Sequence, residues 1–276
     1  MVGARGIEDV IATRSAPTTG RRGRARARAT VRTRARFDIL KPLRAGPRFA
    51  AEQSVDPRVY RGAYADWTVD AADRAEVFAY RGSLSAMSLG AALTAGLCHA
   101  GDYVDAEKAY FLGGLGLGGA LLMVHMYVGE IRAAMRALWA VGFLGSAAIA
   151  MSAQEPLPVY VWEHPMSVLL VGPMFAALTG LAFKEGMCYG KPEAALLFFA
   201  VPAMCLSHLF GASADVCGVE ANVVLALLVV LALRKYSQPI KDDIGDKSIF
   251  MFQALEEGSD EQLEFLKRAR ENGFDV

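Results

Sequence analysis

The chain has 276 residues, of which 54% are hydrophobic and only 21% charged. Its 29 basic and 29 acidic residues cancel formally, yet residues 1–50 hold twelve arginines and one lysine against Glu8, Asp9 and Asp38. A basic leader on an apolar body excludes an ordinary cytosolic enzyme, a disulfide-rich secreted domain and a wholly disordered chain.

Residues 1–50 come first. Arg21-Arg22-Gly23-Arg24-Ala25-Arg26-Ala27-Arg28 alternates arginine with small residues, and Thr18, Thr19, Thr30 and Thr33 lie close by. This stretch has no apolar run of the kind a secretory signal needs. Arg-rich, hydroxylated and acid-poor is the composition of an organelle transit peptide, for mitochondrion or plastid alike. Such a segment cannot bury enough surface to fold. Cleavage is expected between about residues 35 and 55, where the composition shifts.

Residues 51–81 form an N-terminal soluble segment, in which Asp70–Tyr80 reads as a short interfacial helix. After Arg81 the charges vanish in blocks: 82–100, 110–129, 137–154, 165–183, 194–214 and 221–233 carry none. A bilayer core needs about 20 mostly apolar residues per helix. The last block is short and spans only with Gly218–Glu220 and with Arg234 and Lys235 snorkelling. The fold class is therefore all-α, a polytopic bundle of six transmembrane helices over residues 82–235.

Charge placement orients the spans. Arg61, Arg74 and Arg81 precede the first span. Arg132 and Arg136 lie in the second loop, Lys184 and Lys191 in the fourth, and Arg234, Lys235, Lys241 and Lys247 follow the last. The other side has only Lys108. By the positive-inside rule both termini face the cytosol-equivalent side. Small residues at spacings of four mark helix contacts: Ala86-Gly90-Thr94-Cys98, Gly142-Ser146-Ala150 and Gly172-Ala176-Gly180. Pro173 and Pro202 are expected to kink their spans. Gly114-Leu115-Gly116-Leu117-Gly118-Gly119 has the form of a dinucleotide loop. It lies inside an apolar span with no strand before it, so it reads as a packing face.

Residues 236–276 form a C-terminal tail. Ser259-Asp260-Glu261-Gln262 is a capping pattern for a short amphipathic helix that Gly273 can end.

The candidate polar cluster is His125, Arg132, Lys184, Glu185 and His208, because ionisable groups at or within a membrane are functional candidates by default. His125, Lys184 and Glu185 share one side, with Glu130, Arg132 and Arg136 close by. This arrangement suits an anion or proton site, and equally a Lys–Glu pair among snorkelling charges. His208 falls toward the opposite face, about 15 Å away at about 1.5 Å rise per residue. A single haem between the two histidines is therefore disfavoured, and each reads more simply as a structural histidine. Cys98 and Cys217 share that opposite compartment, where a bridge and a metal site are both disfavoured, and Cys188 and Cys205 read as small packing residues. No hydrolase, P-loop or zinc-protease motif is present, so no catalytic residue is assigned, and the cofactor is left unknown, each histidine being able to ligate a separate pigment or metal. Nucleic acid is not an expected partner.

Several strings in order carry a resemblance. They are Asp73-Arg74 with Tyr80-Arg81-Gly82-Ser83-Leu84, then His125-Met126-Tyr127, then Tyr160 with His164-Pro165. Ala176-Ala177-Leu178-Thr179-Gly180 and Phe183-Lys184-Glu185 follow, then Leu233-Arg234-Lys235 with Gln238-Pro239-Ile240. Asp243-Ile244-Gly245-Asp246-Lys247-Ser248 is the most specific of them. Over about residues 60–250 the chain resembles an uncharacterised integral membrane protein family of cyanobacteria and photosynthetic eukaryotes. The resemblance implies a nuclear-encoded plastid protein, in thylakoid or inner envelope, with stromal termini. It brings no activity with it. The expected function is a non-enzymatic accessory or assembly protein of a photosynthetic membrane complex, partnered by the bilayer and by that complex or by its own copies. A small transporter or channel is the alternative, and a membrane enzyme or pigment carrier comes third.

Overall fold

The computed structural model describes residues 56–274. The expected transit peptide lies outside the described residues. A two-residue hairpin pairs β1 (Tyr60–Arg61) with β2 (Asp66–Trp67). Helices α1 (Ala71–Ala100) and α2 (Tyr103–Met123) follow, then α3 (Gly129–Ser152) and the short α4 (Leu157–Glu163). A 3-10 turn at Pro165–Ser167 leads into α5 (Val168–Tyr189), α6 (Pro192–Leu209) and α7 (Ala214–Lys235). Three short helices end the chain: α8 (Ile240–Ile244), α9 (Lys247–Gln253) and α10 (Asp260–Glu271).

Among the described residues, four helices are long and apolar enough to cross a membrane: 129–152, 165–187, 192–209 and 214–235. Helices α1 and α2 have 30 and 21 residues and cover the first two expected spans. Residues 71–80, expected as a short interfacial helix entering the first span, are the opening turns of α1. Asp70 caps α1 reciprocally with Asp73, and the helix then runs unbroken to Ala100 because nothing between breaks it. Gly101 ends it in the left-handed region at φ +81°, and Asp102 starts the next helix at once.

The six long helices pack in the cyclic order α1–α2–α3–α5–α6–α7, with α7 returning to α1. Neighbours run antiparallel. Gly90 faces Gly113 and Met87 faces Gly116 across α1 and α2; Gly142 faces Met174 and Gly180 faces Met135 across α3 and α5. At Gly90, Gly116 and Gly142 a Cβ would run into the partner helix's backbone, so the absent side chain sets the approach. The apparent dinucleotide loop is such a packing face. Its Gly116 meets α1, while Gly114 and Gly118 seat Phe143 and Trp139 of α3. Gly172 departs from the expected stripe, since only its own helix's Val168 lies near it. Leu84, Leu121, Leu181, Leu197 and Leu231, from five helices, meet fully buried in one core. Outward, Leu89, Leu115, Leu144, Leu170, Phe199 and Val223 are each about half exposed or more. An apolar belt around the whole ring is far larger than water tolerates, and a bilayer is its natural solvent.

Candidate functional site: a buried charge cluster at the capped end

One end of the ring gathers the start of α1, the ends of α5 and α7, and the start of α6. Residues 56–70 and 236–253 fold over it. Glu185, in the last turn of α5, is fully buried. Its Oε1 accepts from the Tyr80 hydroxyl at 2.6 Å and from Lys184 at 3.1 Å. Its Oε2 accepts from Lys191 at 2.5 Å and from Lys235 at 2.6 Å. Lys235 also donates to Asp243, whose other oxygen accepts from Arg81 Nε at 2.7 Å. The same guanidinium donates to the carbonyls of Gln238 and Pro239, fixing the turn after α7.

These six charged side chains are each no more than 5% exposed. Four cations face two carboxylates. The rings of Tyr80 and Tyr189 take up part of the excess. Lys184 and Lys191 stand 4.5 and 5.1 Å from the Tyr189 ring centre, and Lys235 stands 4.9 Å from that of Tyr80. Burial lowers the Lys191 ammonium from 10.5 to about 8, although Glu185 pulls the other way.

The string 243–248 builds the cover. Ile244 packs with Trp67, Val69 and Val77. Gly245 sits at φ +77° beneath the hydroxyls of Tyr127 and Tyr189, where a Cβ has no room. Asp246 caps α9 and accepts from the Ala63 amide at 2.7 Å, while its own amide donates to the Tyr127 hydroxyl. Ser248 accepts from the Tyr64 amide. Lys247 spans Asp70 and Asp73 at 2.7 and 2.6 Å. Burial works against the Lys247 charge, but its two carboxylate bonds win and raise it above 10.5. Burial also pushes Asp70 up, yet the Lys247 bond and the Asp73 amide hold it below 3.8. At Asp73 burial prevails and raises it.

The sequence-based candidates separate. Lys184 and Glu185 lie together at the heart of the cluster. His125 does not lie late in a transmembrane helix. The chain leaves α2 at Val124 in an extended conformation, and Arg136 donates to the Leu121 and Leu122 carbonyls there. His125 then pairs with Glu76 at 3.1 Å and sets its ring edge-on to Phe250. Arg132, in the first turn of α3, is half-buried. His208, in the last turn of α6, bonds the Val161 carbonyl at 2.8 Å and stacks on Trp162. It belongs to the opposite end, where Ser207 donates to Glu220 at 2.9 Å. Cys98, Cys205 and Cys217 are unbridged.

Lys235 corrects the snorkelling expectation. It turns inward, because Glu185 and Asp243 offer it two anions that a headgroup region would have to match. Arg234 alone stays half exposed, on Glu193. Tyr80, Arg81, Lys191, Lys235 and Asp243 were not foreseen as cluster members. The available signal was the density of uncommon charged strings at the ends of three different spans.

Residues 119–252, from the last turns of α2 to α9, match the model of a family described as "Uncharacterized integral membrane protein (DUF2301)". That stretch is similar to this family, an integral membrane family of the kind the resemblance implied. It includes Lys184, Glu185, Lys191, Lys235 and Asp243. No curated protein and no solved structure matches the chain.

Proposed function

We propose that this multi-pass integral membrane protein crosses a plastid membrane six times, with its capped end in the stroma, and acts there without catalysis as an accessory or assembly protein of a photosynthetic complex. The observation that carries the reading is the closed ring: side chains of all six helices meet in one apolar core, and the chain's own segments are stapled over the charged end. A bundle so filled offers other molecules its apolar belt and its cap. Six crossings rest on α1 and α2 packing antiparallel in register with the four more apolar helices. The stromal placement rests on the basic residues gathered at the capped end. The test is native gel migration of the tagged full chain from mildly solubilised plastid membranes, with mass spectrometry of its band. Comigration with subunits of a photosynthetic complex is expected. Migration as a monomer overturns the accessory role.

A small transporter is the second reading. The buried lysines around Glu185 favour it, since charges held at a membrane boundary often line a solute or proton path. Flux in reconstituted vesicles that disappears in Lys184→Met would establish it over the first.

A further inference from the structure

The charge cluster is unbalanced. Arg81, Lys184, Lys191 and Lys235 surround only Glu185 and Asp243, so two positive charges are buried in excess. An uncompensated buried ion is strongly disfavoured. Donor counting leads to the same place by a separate route. Three ammonium groups carry nine N–H donors. They spend four: one from Lys184, one from Lys191 and two from Lys235. Tyrosine rings absorb some of the remainder, but a ring face is a weak acceptor beside an oxyanion or a halide. Lys184 is the least satisfied, with a single bond at 3.1 Å.

We propose that this cluster binds one small inorganic anion, gripped by the ammonium groups of Lys184 and Lys191. Tyr189 is the partition between the site and solvent. The two ammonium groups stand over its ring, and the same residue lines an external cleft of about 430 Å³ whose charged lining is Arg61 and Lys241 against Asp242 and Asp246. An anion reaches the lysines from that cleft when the Tyr189 side chain swings aside. The bound ion completes the charge balance and ties α5 to the start of α6. This site stands whether the protein serves a complex or moves a solute.

The experiment uses the full chain in nanodiscs of zwitterionic lipid. Sodium chloride, nitrate and phosphate are each titrated against gluconate at constant ionic strength, with thermal unfolding and calorimetric binding read together. One of the three is expected to bind saturably and to raise the unfolding temperature. Lys184→Met and Lys191→Met are each expected to weaken that binding about tenfold or more, the loss of a charge-assisted hydrogen bond. Lys108→Met, at the opposite end of the bundle, leaves it within about twofold. Glu185→Gln removes a competing negative charge, so its stability should depend more steeply on the same anion. If a lysine variant fails to fold, the wild type and Glu185→Gln still decide the matter. Absence of saturable binding by all three anions overturns the site. Binding that persists unchanged in both lysine variants overturns its location.

Discussion

Lys235 donates to Glu185 at 2.6 Å with no part of either side chain exposed, although fifty residues separate them in the chain. The contact joins the end of α7 to the end of α5, and Asp243 extends it to α1 through Arg81. Four segments of the chain thus converge on two carboxylates.

That convergence makes the carboxylates and the cations unequal. Glu185→Ala takes the one carboxylate partner from Lys184 and Lys191 and one of two from Lys235, and is expected to destabilise the protein by about 3–5 kcal/mol. Lys184→Met reduces the positive excess and removes only one long hydrogen bond, so its cost should be about 1 kcal/mol. Thermal unfolding of the two variants in the same nanodiscs measures the order. Equal destabilisation would contradict the charge count.

The glycines separate in the same way. Gly90→Ala drives a methyl into the Gly113 backbone and should cost about 1–3 kcal/mol by forcing α1 and α2 apart. Gly172→Ala meets no other helix, and its better helix propensity should leave stability unchanged or raise it by up to about 1 kcal/mol. Midpoints of thermal unfolding compare the pair.

Gly245→Ala combines a left-handed backbone with two tyrosine hydroxyls in the path of the new methyl. A loss of about 1–3 kcal/mol is expected, confined to the cover. Hydrogen exchange should quicken in residues 236–253 and stay unchanged in the core of α6.

The Lys247 staple sets a pH window. Asp70 lies below its ordinary 3.8, so its contribution is complete above that pH and is lost as pH falls through the lower native value. Lys247 lies above 10.5, so its contribution is complete below that pH and is lost as pH rises through the higher native value. Asp73 opposes them modestly. Raised by burial, it binds more protons in the native state and subtracts stability as pH climbs from 3.8 through its native value. Limited proteolysis of residues 244–253 should therefore accelerate at both extremes. Lys247→Met should show fast cleavage across the range and lose the alkaline step.

Much of this was legible from the sequence. The uncharged blocks give the six long helices nearly in place, because an apolar run of that length has few alternatives. Ser259 and Gln262 announce the start of α10, and the left-handed Gly273 follows its end. The glycine stripe on α1 is a true contact. What a linear reading could not supply is direction. Arg81, Lys191 and Lys235 look like flanking charges, and flank position reports the side of the membrane, not whether a side chain turns to water or inward. That choice is made for Lys191 by Glu185, for Arg81 by Asp243, 162 residues further on, and for Lys235 by both. His125 was misplaced for a local reason. Apolar neighbours carried the block past Met123, while Arg136 ended the helix from across the loop.

The position of Asp243 near the end of the chain has a consequence for biogenesis. A chain threaded into the membrane from its N-terminus delivers Arg81, Lys184, Lys191 and Lys235 before their second carboxylate arrives. During insertion they are free to act as topogenic charges, and only afterwards are they withdrawn into the interior. Arrival of residues 236–253 therefore closes the bundle. A chain cut short after residue 235 would keep every long helix and yet present an open, basic end, a difference that quality-control proteases could read.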